Sequence, residues 1–292
     1  MRTLLPVAGP LDLDLTFTCG QSFRWRRDGG AWRGVVGRSE CRVSSVDGGR
    51  LAVTTFADDP GAAALARYFR LEEDPSIHLE QAAELRTLPG LEALLGLRLL
   101  RQDPWETLAS FICSAAANVR KISTCVEGMA EAWGDPIEGS PRRTFPGPDR
   151  LARLSEGALR RHGLGFRAPF LLATARRIAR EEWDWERLRH APIEEARAAL
   201  VALPGVGPKI ADCALLFGLD RLDTYPVDRW IRRATLELAN RRRAKDDELE
   251  RWSRRFGPGR GYVQQLLFHL RRTGGPLPAL PRARPARASR TA

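Results

Sequence analysis

The sequence predicts an α+β protein: a small N-terminal antiparallel β domain followed by a larger helical domain containing a helix-hairpin-helix. Three observations predict it. Residues 11–56 consist of short runs rich in β-branched and aromatic residues, punctuated by Asp-Gly-Gly triplets. From about residue 59 the apolar spacing changes to a helical period and keeps it as far as residue 272. Inside that region LPGVGPK at 203–209 interrupts two apolar stretches with a glycine-rich turn.

The elements follow in order. LDLDLTF (11–17) alternates strictly and predicts a first strand; FRWRR, AWRGVVG, CRVSSV and LAVTTF follow, giving four or five strands in all. Asp28-Gly29-Gly30 and Asp47-Gly48-Gly49 read as hairpin turns. Asp103-Pro104 opens a helix with a cap and a first-turn proline, and the stretch to Trp133 continues as one or two helices. Residues 141–148 read as a loop. Helices are expected over 149–161, 168–182, 192–202, 208–217, 227–240, 245–256 and 259–272. The expected division is 1–75 for the β domain, 76–273 for the helical domain and 274–292 for a basic tail. That tail is rich in Pro, Ala and Arg and is expected to be disordered.

Composition bounds the function. A chain of 292 residues with 43% hydrophobic and 28% charged residues can bury a sizeable core. Its net charge is +11; the tail carries four arginines and no acid, so the rest still holds +7. Such a surplus points to a polyanionic partner, nucleic acid first. Five cysteines without a CxxC pair fit a reduced cytoplasmic protein with neither a disulfide framework nor a four-cysteine cluster. His78, His162, His190 and His269 lack metal-ligand spacing, so no metal and no cofactor is expected. The N-terminal run is too short and too acidic for a signal peptide, and no 18-residue apolar stretch exists, so no membrane partner is expected.

The hairpin carries the chemistry. Gly205 and Gly207 are expected to turn the backbone with positive φ, and bare N–H groups around Val206 would form a phosphate site. A PGxG alone also fits an ordinary helix end. Of 47 basic residues only three are lysines, Lys121, Lys209 and Lys245, and Lys209 directly follows the hairpin. An arginine would contact phosphate equally well; a lysine can also lose its proton and attack carbon. Asp228, in YPVD, reads as a helix N-cap whose carboxylate would stand near the hairpin.

LPGVGPK, a hydrophobic helix and PVD together resemble the helix-hairpin-helix DNA glycosylase superfamily. CGQSFRW (19–25), GLGFRA (163–168) and GYVQQLLF (261–268) narrow the resemblance to the 8-oxoguanine DNA glycosylase/AP lyase family, over about residues 10 to 272. The resemblance implies a bacterial-type, nucleoid-associated base-excision enzyme, most simply a monomer, acting on double-stranded DNA that contains oxidised guanine. It implies that the lesion base is flipped into a pocket. Lys209 matches the nucleophile that attacks C1′ and forms a Schiff base, and Asp228 the carboxylate facing the cationic sugar. Gly20 matches the carbonyl that accepts N7–H of 8-oxoguanine, and Gln264 the reader of the Watson–Crick edge. Cys213 and Phe268 match the two faces of the purine sandwich. Phe166 matches the wedge in the stack, and Arg167 the reader of the opposite cytosine.

The chain departs from the family at one stretch. The asparagine-rich segment after FICS is here Ala115, Ala116 and Ala117, with only Asn118 left, and Lys121 replaces a second cytosine-reading arginine. Weaker selectivity for the opposite base is therefore expected. Trp230 stands where histidine is common. Two other readings weigh against the leading one. An alkylated-base glycosylase of the same superfamily would use water and leave Lys209 idle; a non-catalytic DNA-binding module would leave Asp228 and the purine pocket idle.

Overall fold

Five antiparallel strands form one sheet in the order β1-β5-β4-β3-β2. The structure is a computed structural model describing residues 2–46, 48–56, 60–181 and 183–280. The strands are β1 (Arg2–Pro6), β2 (Arg26–Asp28), β3 (Ala31–Val36), β4 (Ser39–Val46) and β5 (Arg50–Phe56). Trp32 pairs with Val43, and Val43 with Val53, so one face presents a continuous apolar row. Helix α1 (Leu13–Thr18) and helix α2 (Ala62–Phe69) cover it, and Phe17 stacks on Trp25 at 4.2 Å.

The strand expected over 11–17 is helix α1. Asp12 Oδ1 accepts the N–H of Leu15 at 2.9 Å, and the helix buries Leu13, Thr16 and Phe17 at helical spacing. An alternating text was therefore read on the wrong period. The edge strand β1 was not expected; it is amphipathic and short, and its pairing with β5 is non-local. Of the two hairpin turns, Asp28-Gly29-Gly30 joins β2 to β3, whereas Asp47 lies outside the described residues.

The helical part contains α3 (Ser76–Gln81), α4 (Pro104–Ile112), α5 (Val119–Trp133), α6 (Pro148–Ala152), α7 (Glu156–Leu159) and α8 (Ala168–Arg180). It continues with α9 (Trp185–His190), α10 (Ile193–Val201), α11 (Pro208–Gly218), α12 (Arg229–Leu238), α13 (Asp246–Ser253) and α14 (Arg260–Thr273). Helix α4 starts as expected: Asp103 Oδ1 accepts the N–H of Glu106 at 2.7 Å and Pro104 opens the helix. It packs on α11, while α12 packs on α14. The helix expected over 149–161 is broken at Ser155, whose Oγ caps α7 through the N–H of Ala158. No helix among the described residues is long and apolar enough to cross a membrane.

Buried polar side chains tie the two parts together. Gln21 donates to the carbonyls of Thr16 and Arg98 and accepts the N–H of Leu100. The fully buried Arg98 donates to Pro10 and Arg70 carbonyls. The tail expected to be disordered from 274 is ordered as far as Leu280, which is 8% exposed. Leu277 N–H reaches Glu237 and Leu280 N–H reaches Leu238 O, so two leucines anchor this stretch on α12. Residues 281–292 lie outside the described residues.

Candidate active site

Lys209 is the second residue of α11, and the hairpin before it fixes where its amine emerges. Gly205 has φ +74°, and a Cβ there would lie 2.5 Å from Cβ of Phe170 on α8. Glycine is thus required twice at this position, by conformation and by space. Gly207 does not behave as expected. Its φ is −88° and it is the extended N-cap of α11, with nothing near the site of a Cβ. Its missing side chain leaves the backbone open to approach rather than permitting a turn. Val206 is buried in the core and its N–H donates to Leu203 O. The N–H groups of Gly205, Gly207 and Lys209 donate to no acceptor among the described residues, which leaves three donors at a helix N-terminus.

The amine itself meets the end of α4. Lys209 Nζ lies 3.3 Å from Ser114 Oγ and 5.0 Å from the centre of the Phe111 ring. Ser114 Oγ is oriented by donating to Phe111 O at 2.6 Å. One turn along α11, Cys213 is 3% exposed. Burial pushes its thiol up to about 12, the Lys209 charge working against that rise and the Asp228 carboxylate adding to it. Cys213 therefore sits within the field of both groups. Asp228 is the N-cap of α12: its Oδ1 accepts from Trp230 at 2.9 Å and Ile231 at 2.8 Å. The cap holds the carboxylate still without using Oδ2.

Helix α14 supplies the opposite wall. Gln264 is 4% exposed, and its Nε2 donates to Pro226 O at 3.1 Å, just before Asp228. Its Oε1 is buried and has no partner among the described residues. A buried acceptor without a partner costs about 1–3 kcal/mol until something donates to it. The neighbouring Gln265 donates to Cys19 O at 2.7 Å, and Arg272 donates to Thr18 O at 2.8 Å. These bonds hold the turn at Gly20, φ +83°, against Phe268 and Val119. A Cβ on Gly20 would lie 3.7 Å from the Phe268 ring and 3.6 Å from Val119. Arg272 lies over Phe268 at 5.3 Å.

The structure thus groups Lys209 with Cys213, and Gly20 with Phe268, and links Gln264 to the loop that leads into Asp228. Phe166 is 55% exposed on the irregular turn before α8. Arg167, expected to read the opposite cytosine, is 6% exposed and points inward. It donates to Leu164 O at 2.9 Å, Cys113 O at 2.5 Å and Gly163 O at 3.5 Å. The irregular turn leaves carbonyls without helical partners, and the guanidinium satisfies them. Asn118 caps α5, accepting the N–H of Lys121 at 2.9 Å, so its acceptor is used while its amide N–H groups are not. Ala116 has φ +52°, the left-handed region that an alanine occupies only at a cost.

Sequence reasoning missed Ser114, Phe111, Gln265 and Arg272. It also missed the setting of Trp230, whose ring is flanked by Arg229 at 5.1 Å and Arg233 at 5.6 Å. Neither arginine forms an ion pair among the described residues. No group of three or more metal-ligating side chains occurs among them either, and the five cysteines are buried and form no disulfide among the described residues.

Comparison with known proteins places the chain by family and fold. Residues 4–108 match the family model "8-oxoguanine DNA glycosylase, N-terminal domain". The chain is 32% identical to a probable N-glycosylase/DNA lyase of Methanothermobacter thermautotrophicus, over 92% of this chain and 96% of that one. It is 33% identical to an N-glycosylase/DNA lyase of Arabidopsis thaliana, over 88% and 76%. Its fold superposes on the Clostridium acetobutylicum 8-oxoguanine glycosylase/lyase, solved with double-stranded DNA containing cytosine opposite 8-oxoguanine. The TM-score is 0.83, with 29% identity over 90% of this chain and 92% of that one.

Proposed function

The chain belongs to the 8-oxoguanine DNA glycosylase/AP lyase family, and from that premise we propose that it excises 8-oxoguanine from duplex DNA and then nicks the strand, with Lys209 as nucleophile. The observation that carries this reading is the meeting of Lys209 with Ser114 at 3.3 Å, in a site whose Cys213 feels both the lysine and Asp228.

The neutral amine of Lys209 attacks C1′ of the lesion nucleotide. The N–C1′ bond forms as the glycosidic bond breaks, and the base leaves with the bonding pair and takes up a proton. Asp228, held by two backbone N–H groups, faces the positive charge that develops on the sugar. The sugar ring opens to a Schiff base. Loss of a C2′ proton then expels the 3′ phosphate oxygen, and hydrolysis of the imine frees the lysine.

The flipped purine lies between Cys213 and Phe268. Gln264 Oε1, buried and unpartnered, accepts from the donors of the guanine Watson–Crick edge. The carbonyl of Gly20 accepts N7–H, a donor that guanine lacks, and discrimination of about 1–3 kcal/mol follows from that one bond. The hairpin N–H groups of Gly205, Gly207 and Lys209 hold a phosphate, and Arg229 and Arg233 beside Trp230 hold further backbone. Phe166 enters the stack. Ala115, Ala116 and Ala117 offer the opposite base no hydrogen bond; Asn118, Lys121 and the unused Nη hydrogens of Arg167 remain for it. Selectivity for the opposite base is accordingly relaxed. The enzyme works in this reading as a cytoplasmic monomer carried on nucleoid DNA.

A duplex with one 8-oxoguanine tests the reading. Wild type releases the base and nicks; Lys209→Gln does neither, and Asp228→Asn releases the base slowly. Base release by Lys209→Gln would instead make water the nucleophile and return the chain to the alkylated-base mechanism.

A further inference from the structure

The amine of Lys209 is bracketed on the α4 side by two groups that can only accept. Ser114 Oγ lies 3.3 Å from Nζ, and the centre of the Phe111 ring lies 5.0 Å from it. We propose that Ser114 and Phe111 are positioning residues for the attack: together they engage the two N–H groups of the neutral amine and leave its lone pair aimed away from α4, where C1′ arrives. The proposal rests on the reading of Lys209 as the nucleophile.

Ser114 has no proton to offer the amine. Its Oγ–H donates to Phe111 O at 2.6 Å, and its backbone N–H donates to the same carbonyl at 3.0 Å. A free hydroxyl both donates and accepts. One that donated to the amine would cover the lone pair and block the nucleophile. With its proton held by Phe111 O, Ser114 Oγ meets Nζ through an oxygen lone pair. The Phe111 ring is restricted in the same way, because the negative face of an aromatic ring attracts N–H and repels a nitrogen lone pair. A neutral primary amine has two hydrogens and one lone pair. Two acceptors take the hydrogens, so the lone pair is left for the remaining direction. Cys213, one turn along α11, feels the amine more as a charge than as a hydrogen-bond partner.

The bracket is held still. Phe111 is 4% exposed, stacks on Phe217 at 5.5 Å and meets Phe23 edge-on at 5.5 Å. Phe217 belongs to α11, the helix that carries Lys209, so ring and amine share one frame. The segment after α4 is pinned as well: Cys113 O accepts from Arg167, and Ser114 O accepts the N–H of Ala117 at 3.1 Å. Phe111 therefore acts twice. Its carbonyl keeps Ser114 an acceptor, and its ring faces the second hydrogen. A displacement of about 1 Å at a reacting atom costs about 100-fold in rate, so such fixing is felt in the chemical step.

The test times Schiff-base formation in a single turnover by borohydride trapping, and measures affinity separately on a duplex carrying non-cleavable 2′-fluoro-8-oxoguanosine. Ser114→Ala and Phe111→Leu should each slow adduct formation about 10- to 100-fold and leave affinity unchanged. Ser114→Thr keeps the acceptor and should recover most of the rate. Wild-type rates in Ser114→Ala and Phe111→Leu would overturn the proposal. So would a loss of affinity equal to the loss of rate, which would make the role structural, or a Ser114→Thr rate no better than that of Ser114→Ala. A wild-type chain that forms no adduct would overturn the functional reading itself, an outcome seen before any variant is made.

Discussion

Gln265 donates its side-chain amide to the carbonyl of Cys19 at 2.7 Å, joining the last helix to the turn that follows α1 across 246 positions of chain. Both residues are buried. The bond fixes the Gly20 peptide against Phe268, so the discriminating carbonyl proposed for Gly20 inherits its position from Gln265.

Gln265→Leu should therefore act at a distance. It removes the amide and leaves Cys19 O without its donor, a loss of about 1–3 kcal/mol in stability. Thermal unfolding checks that loss. Release rates from 8-oxoguanine and guanine duplexes should converge, whereas an unchanged ratio would show that Gly20 needs no such support.

Gly205 and Phe170 form a steric pair. Gly205→Ala places a Cβ in Phe170 and strains a residue at φ +74°; it should cost about 1–3 kcal/mol and weaken DNA binding. Phe170→Ala in the same chain removes the clash but not the strain, so it should restore only part of the loss. Full restoration in a double-mutant cycle would contradict the backbone argument.

How much of this was legible beforehand differs by residue. The antiparallel sheet, the helical domain, Asp103 as a cap and the hairpin before Lys209 were legible because each is set by local spacing or local turn chemistry. The segment 11–17 was not, since its alternation matches a strand while Asp12 caps a helix through Leu15. The inward turn of Arg167 was not legible because nothing local reveals that three carbonyls await it. Ser114 and Gln265 were missed for the same reason: each matters through a partner 95 or 246 positions away.

Ala116 carries a second stored cost. At φ +52° an alanine is strained, and asparagine tolerates this region better. Ala116→Asn should raise stability by roughly 0.5–1 kcal/mol. It should also give the opposite base an amide, raising the ratio of activity opposite cytosine to that opposite adenine. A fall in melting temperature would refute the strain argument.

Two acids, the half-buried Glu106 and the buried Asp212, set a pH dependence. Burial raises Glu106 to about 7 and Asp212 to about 6, each only partly offset by a neighbouring arginine, Arg24 and Arg197. The folded chain therefore keeps protons that the unfolded chain releases at ordinary carboxylate pH. Their stabilisation is present below the unfolded values and is lost as pH rises through about 6 to 7. Melting temperature should decline between about pH 4 and pH 7, and Glu106→Gln should flatten that decline. An equally steep decline in the variant would remove Glu106 from the account.

Borohydride trapping on a duplex carrying one 8-oxoguanine, followed by peptide mapping of the adduct, tests the central claim most directly. The account predicts a covalent DNA adduct on the peptide containing Lys209, absent in Lys209→Gln. An adduct at Lys121 or Lys245, or base release with no adduct at all, would contradict it.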